Sequence, residues 1–244
     1  MSVIVVSGTG TEIGKTVVTA ALVALAKGRR IAVAKPAQTG VDSGEPGDLD
    51  EVRRLGGQVY GVEMARFREP LAPAAAARRA GLPGVRAQAV AECVGRLAAE
   101  YELVVVEGAG GLLVRFDADG DTLADAAQLL GAPVLVVAPA GLGALNSAAL
   151  TGEALRARGI DQLGVVVGSW PAEPDLAARC NLLDLPEAAG APLLGAVPEG
   201  AGRLAPADFR DRAADWLAPR LGGRWDAAAF TAAAHGGVPA ASVG

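Results

Sequence analysis

Val3-Ile4-Val5-Val6-Ser7-Gly8-Thr9-Gly10-Thr11-Glu12-Ile13-Gly14-Lys15-Thr16-Val17-Val18 is the stretch whose reading decides the fold. Its first four residues are all β-branched and apolar, as in a strand buried on both faces. A glycine-rich turn follows and opens onto a helix that begins at Lys15. Strand, glycine turn and helix N-terminus in this order make a cradle for a triphosphate. Backbone N–H groups converge on phosphate oxygens, and the helix end adds partial positive charge. In such a cradle Lys15 reaches the terminal phosphates and the Thr16 hydroxyl is a ligand for Mg²⁺.

The usual phosphate loop, G-x-x-x-x-G-K-[ST], keeps four residues between its glycines. Here Thr9 stands where the first glycine belongs. Gly8 lies one position earlier and leaves five residues before Gly14. Either the loop is one residue longer, or Gly10 takes the special backbone geometry.

Further apolar runs follow at residues 31–34, 103–106, 134–138, 163–167 and 193–197. Helical patterns lie between them at 15–27, 48–55, 72–80, 87–99, 123–130, 146–158 and 175–183. Apolar strands alternating with helices specify an α/β, three-layer, phosphate-loop NTPase-like fold. Its central sheet is mainly parallel, with helices on both faces. Ligands collect at the carboxyl ends of such strands. The chemically notable segments sit there: 8–16, 35–39, 107–111, 141–146, 168–169 and 198–202. A single domain over residues 1–235 is expected, with a mobile polar loop at 40–47 and a frayed tail at 236–244.

Of the 244 residues 51% are hydrophobic and only 4% aromatic, so the core is built from small aliphatic side chains. A formal net charge of −5 with no basic cluster argues against a nucleic-acid partner. No run approaches the roughly 18 apolar residues of a membrane-spanning helix. The chain enters a strand at once, without a basic leader. Cys93 and Cys180 are far apart and outside any C-x-x-C pair, which fits a reducing compartment. A soluble, unprocessed, cytoplasmic protein is expected.

Lys35-Pro36-Ala37-Gln38-Thr39-Gly40 follows the second strand. A lysine there, beside the phosphate loop, adds a second positive charge where phosphoryl charge builds up, and Thr39 is placed to bond a substrate oxygen. Asp48 opens a helical run and reads equally well as a plain N-cap. Asp50 and Glu51 are competing carboxylates in the same turn, and spacing does not choose among them. Val104-Val105-Val106-Glu107-Gly108-Ala109-Gly110-Gly111 ends a buried strand on an acid followed by glycines. Such an acid faces the phosphate loop and its metal. Asn146 reads either as a helix cap or as part of a carboxylate-binding helix start. His235, the only histidine, reads as a surface residue, which removes His-based triads and zinc sites. Trp170, Trp216 and Trp225 read as packing residues.

Taken together, residues 8–16, 35–40, 48, 106–111 and 141–146 resemble the dethiobiotin synthetase family. The loop form Gly-Thr-x-Thr-x-x-Gly-Lys-Thr is the family's own and accounts for the extra residue. Lys-Pro-x-x-[Ser/Thr]-Gly and Val-Glu-Gly-Ala-Gly-Gly make the match specific. The resemblance implies an ATP- and Mg²⁺-dependent joining of CO₂ to 7,8-diaminopelargonic acid. One amine forms a carbamate, whose oxygen attacks the γ-phosphate; the second amine closes a cyclic urea and releases phosphate, giving dethiobiotin for biotin formation.

The resemblance also implies residue roles. Lys15, Lys35 and Thr11 are catalytic, and Mg²⁺ rests on Thr16, Glu107 and Asp48 rather than Asp50. Glu12, Ile13, Gly14, Lys15, Thr16 and Val17 hold nucleotide, joined by Asp48, Glu107, Gly108, Ala109 and Gly110. Glu12 faces the diamine and Thr39 the carbamate. The remote carboxylate of the substrate rests on the helix starting at Asn146, with Gly143 and Leu145, supplied by the partner of a homodimer. The family often reads the base with an asparagine after the fifth strand, but Gly168-Ser169-Trp170-Pro171 has none. Base contacts are then expected at Gly168 and Ser169 and from backbone groups of Val197, Pro198 and Glu199, with looser selection for adenine. The alternative is a partition- or assembly-type phosphate-loop ATPase acting as a regulator. Those proteins usually carry an extra lysine early in the loop, where this chain has Gly10.

Overall fold

The computed structural model describes residues 3–235, and the expectation of a frayed tail at 236–244 lies outside them. In chain order the elements are β1 (Val3–Gly8), α1 (Lys15–Leu25), β2 (Ile31–Lys35), β3 (Gln38–Thr39), α2 (Asp48–Gly56), β4 (Tyr60–Glu63), β5 (Arg66–Phe67), α3 (Pro73–Ala80) and α4 (Ala87–Glu100). Then come β6 (Leu103–Gly111), α5 (Leu123–Leu130), β7 (Val134–Ala138), α6 (Ala144–Ala157), β8 (Gln162–Trp170), α7 (Leu176–Ala189), β9 (Leu193–Pro198), α8 (Pro206–Arg212) and α9 (Ala227–His235).

All six expected apolar runs fall in strands of one parallel sheet, ordered β4-β2-β6-β1-β7-β8-β9. The chain builds outward from β1 through β2 to β4 and returns with β6 between β2 and β1. It then builds the other way through β7, β8 and β9. The direction reverses at β1, the strand that carries the glycine loop, and ligands of open α/β sheets bind at such a reversal. Right-handed crossovers put α1 and α2 on one face and α4 to α7 on the other. The contacts agree: α1, α2 and α8 pack together, α4 packs on α5, and α6 on α7. Covered on both faces, the inner strands are almost wholly buried.

Several boundaries differ from the sequence reading, each for a physical reason. Glu107 lies inside β6 rather than at its end, because the glycines after it continue the pairing as far as Gly8 opposite Gly111. α6 begins at Ala144 with Gly143 at its N-cap position, so Asn146 sits in the first turn and does not cap. α2 likewise has Gly47 at the N-cap, and Asp48 is its first residue. α7 runs past Pro186 to Ala189, burying Leu185 and Ala189 despite the proline. Within the segment 40–47, Arg66 donates to the carbonyls of Asp42 and Glu45.

Candidate active site

The loop after β1 is a six-residue turn between Gly8 and Lys15. Its special backbone falls on Gly14, with φ 94°, and on Glu12, with φ 57°, the one non-glycine residue at positive φ among those described. Gly10 has neither a positive φ nor a close neighbour, so the loop is simply longer. Gly8 is required by space, since a Cβ there would meet Gly10 O and Ile13 Cδ1 at 2.8 Å. Gly14 and Gly168 bring the loop against the end of β8. A Cβ on Gly14 would lie 2.3 Å from Gly168 O, and one on Gly168 would lie 1.9 Å from Ile13 O.

Lys15 and Thr16 start α1, and each side chain finds a partner in the cleft. Lys15 Nζ donates to Gly10 O at 2.8 Å. Burial first, and then the nearby charge of Lys35, hold its ammonium below the ordinary lysine pKa of 10.5. Thr16 Oγ1 donates to Glu107 Oε1 at 2.9 Å.

Lys35 ends β2, two strands from the loop, and is only 3% exposed. Its Nζ lies 2.8 Å from Glu107 Oε1, 2.5 Å from Asp48 Oδ2 and 3.1 Å from Gly108 O. Burial acts downward on this group and is its largest single influence. Glu107 and Asp48 together outweigh it, so the ammonium is held above 10.5.

The three acids of the first turn of α2 are separated by geometry. Asp50 accepts from the Gly47 N–H at 2.8 Å and pairs with Arg53. Glu51 pairs with Arg54 at 2.6 Å. Asp48 alone reaches Lys35. These groups open onto a cleft of about 760 Å³, whose walls include Thr11, Glu12, Thr39, Ala109 and Gly110. Ile13, Gly14, Val17 and Gly108 line it as well. Pro70, Leu71 and Val114 also line it.

A family model described as an AAA domain matches residues 2–202. The ATP-dependent dethiobiotin synthetase BioD of Streptomyces avermitilis is 64% identical over 96% of this chain and 99% of its own length. The enzyme of the same name from Saccharopolyspora erythraea is 67% identical over 92% of this chain and 99% of its own. The chain belongs to the dethiobiotin synthetase family. That membership makes it an ATP-dependent ligase of biotin biosynthesis rather than a partition-type regulator.

Solved structures of two ATPases share its fold. The cell division ATPase MinD of Pyrococcus furiosus superposes with a TM-score of 0.52 at 21% identity, over 85% of this chain and 88% of its own. A ParA family ATPase from Chlorobium tepidum gives 0.54 at 12%, over 87% and 97%. At these identities the likeness is one of phosphate-loop fold alone.

The residues that the dethiobiotin synthetase resemblance singles out divide in two. Those of the phosphate loop, Lys35, Thr39, Asp48 and 107–110 surround one cleft. Gly143, Leu145 and Asn146 do not line it, nor do Gly168, Ser169, Val197, Pro198 and Glu199. The second of these groups adjoins the loop through Gly168. There the Glu199 N–H is already given to Trp170 O at 2.7 Å, and Pro198 has none to give. Gln38 and Arg66 hold the start of α2; Gln38 is an unassigned position of the Lys35–Gly40 motif and Arg66 lies outside every motif, so the sequence assigns neither a role.

Proposed function

We propose that the chain carries out the ATP-dependent carboxylation and ring closure of 7,8-diaminopelargonic acid to dethiobiotin through the cleft of Lys15, Lys35 and Glu107. One observation carries the assignment of the site. A buried lysine, Lys35, stands 2.5 and 2.8 Å from two carboxylates and beside the phosphate-loop lysine and threonine. The physical demand is the approach of an anionic carbamate to an anionic triphosphate. Two ammonium groups offset that repulsion, and they act most strongly where water is excluded. Lys15 serves the terminal phosphates. Lys35 serves the oxygen that bridges carbamate and phosphorus.

The donor set fits Mg²⁺. Thr16 Oγ1, Asp48 and Glu107 offer hard oxygens, and Mg²⁺ is commonly held through one or two carboxylates plus substrate phosphates. The two carboxylates already flank a cation, the Lys35 ammonium. When bound, the ion neutralises charge on the β- and γ-phosphates. Thr11 and Glu12 face the diamine, and Thr39 bonds the carbamate. The amide row of the loop, Glu12 to Val17, holds the phosphates, with Gly108, Ala109 and Gly110 along the other side.

For the base, Gly168, Ser169, Val197, Pro198 and Glu199 form the neighbouring ledge. With the Glu199 amide engaged, Pro198 without one and no asparagine at Gly168-Ser169-Trp170-Pro171, looser selection for adenine is the expectation. The α6 start, with Gly143, Leu145 and Asn146, lies outside the cleft of its own chain, which supports its use by a second copy in a homodimer. A single domain over residues 1–235, working in the cytoplasm, completes the reading.

The test is incubation with diaminopelargonate, bicarbonate, Mg²⁺ and ATP, followed by mass detection of dethiobiotin. Product that requires all four supports the reading. No product with any nucleoside triphosphate overturns it.

A further inference from the structure

Gln38 and Arg66 are paired across the two-residue sheet of β3 and β5, and both turn onto the segment that leads into α2. The N-cap position of that helix is Gly47, which has no side chain to give. A Cβ there would lie 2.9 Å from Arg66 Nη2 and 3.0 Å from Gln38 Oε1, so the glycine makes room for both. Gln38, only 4% exposed, supplies the missing cap from outside the helix. Its Oε1 accepts the Asp48 N–H at 2.9 Å, one of the amides a helix start leaves without a partner. Its Nε2 donates to Thr39 O at 3.2 Å. Arg66 donates to Asp42 O at 3.0 Å and Glu45 O at 2.6 Å, while Glu63 holds the guanidinium at 2.6 and 2.9 Å. The Asp48 backbone is thus pinned from the side, and its carboxylate extends to Lys35 instead of folding back on the helix.

We propose that Gln38, supported by Arg66, is a positioning residue that fixes Asp48 and thereby sets the affinity of the cleft for the divalent cation that accompanies the nucleotide. This rests on the reading of Asp48 as a metal ligand. Outer partners of a ligating carboxylate act through orientation, because a ligand already held in place loses less freedom on binding.

Mn²⁺ is the probe, titrated into the full chain with a non-hydrolysable ATP analogue, free Mn²⁺ being read by electron paramagnetic resonance. Gln38→Met keeps the length and removes the acceptor, and is expected to weaken Mn²⁺ binding about tenfold. Gln38→Glu keeps the acceptor for the Asp48 N–H but loses the donation to Thr39 O, and is expected to weaken Mn²⁺ binding less than Gln38→Met does. Combined with Asp48→Asn, Gln38→Met adds no further loss, because it acts only through that aspartate. Gly47→Ala crowds both clamping side chains and is expected to weaken Mn²⁺ in the same direction. Parent-like affinity in both Gln38→Met and Gly47→Ala overturns the proposal, and so does full additivity in the double variant. If Asp48→Asn alone leaves Mn²⁺ binding unchanged, the assignment of the metal fails first and the positioning role falls with it.

Discussion

Lys15 and Lys35 are chemically identical groups with opposite consequences for stability. Lys15 is buried beside another cation, with its pKa held down; Lys35 is buried between two anions, with its pKa held up. Between the lowered value of Lys15 and 10.5, the unfolded chain binds that proton more tightly than the folded one. The Lys15 contribution to stability therefore rises with pH through this window. The Lys35 contribution is complete below 10.5 and is lost as pH climbs through its raised value. Lys15→Met is expected to abolish ATP binding while raising the stability of the nucleotide-free chain by about 1 kcal/mol at neutral pH. Its alkaline gain in stability should vanish, as urea unfolding at a series of pH values would show. Lys35→Ala is the opposite case. It is expected to lose most of its turnover. That variant leaves Glu107 buried without its cationic partner, holding only the Thr16 hydroxyl, so a loss of about 3 kcal/mol accompanies the loss of turnover. Unfolding as stable as the parent's would contradict this.

The elements around the site are held by glycines as much as by side chains. Gly14 has a left-handed backbone and stands against Gly168 at the end of β8, where neither tolerates a Cβ. Gly14→Ala and Gly168→Ala are each expected to cost about 2–3 kcal/mol in chemical denaturation, and to weaken ATP binding as well. Loss of stability without loss of binding would mean that the loop recovers its shape without them. The strands at the centre of the sheet were legible because burial on both faces demands continuous apolar runs, and residues 134–138 and 123–130 match β7 and α5 to the residue. β4 was not legible, since Tyr60-Gly61-Val62-Glu63 is an edge strand with one side free and no apolar run. β3 and β5 are two residues each, too short for any period. In the site, Lys15, Lys35 and Glu107 were legible because each follows or ends an apolar run. The choice among Asp48, Asp50 and Glu51 was not legible from spacing, because it depends on which carboxylate is already used by Gly47, Arg53 or Arg54.

At the scale of the whole molecule, the cleft gathers the loop residues, Lys35, Asp48 and Glu107 and lacks the α6 residues that the family resemblance assigns to the substrate carboxylate. α6 and α7 pack on each other, and they and the turn before α6 expose Leu142, Leu150, Leu176 and Leu183. Exposed leucines on adjacent elements are a surface that a second copy can cover. A symmetric pair would then carry two sites, each with its phosphate loop from one chain and its α6 start from the other. Lys15→Met disables the first half of a site and Asn146→Ala the second. In a mixed pair one site collects both defects and the other collects none. Random 1:1 assembly makes half of the pairs mixed, each with one intact site of two, so co-expression of two nearly inactive variants restores about a quarter of parental turnover. If each chain builds its site alone, every site in the mixture carries a defect. Turnover then stays at the mean of the two variants, and the sharing of each site between two chains is ruled out.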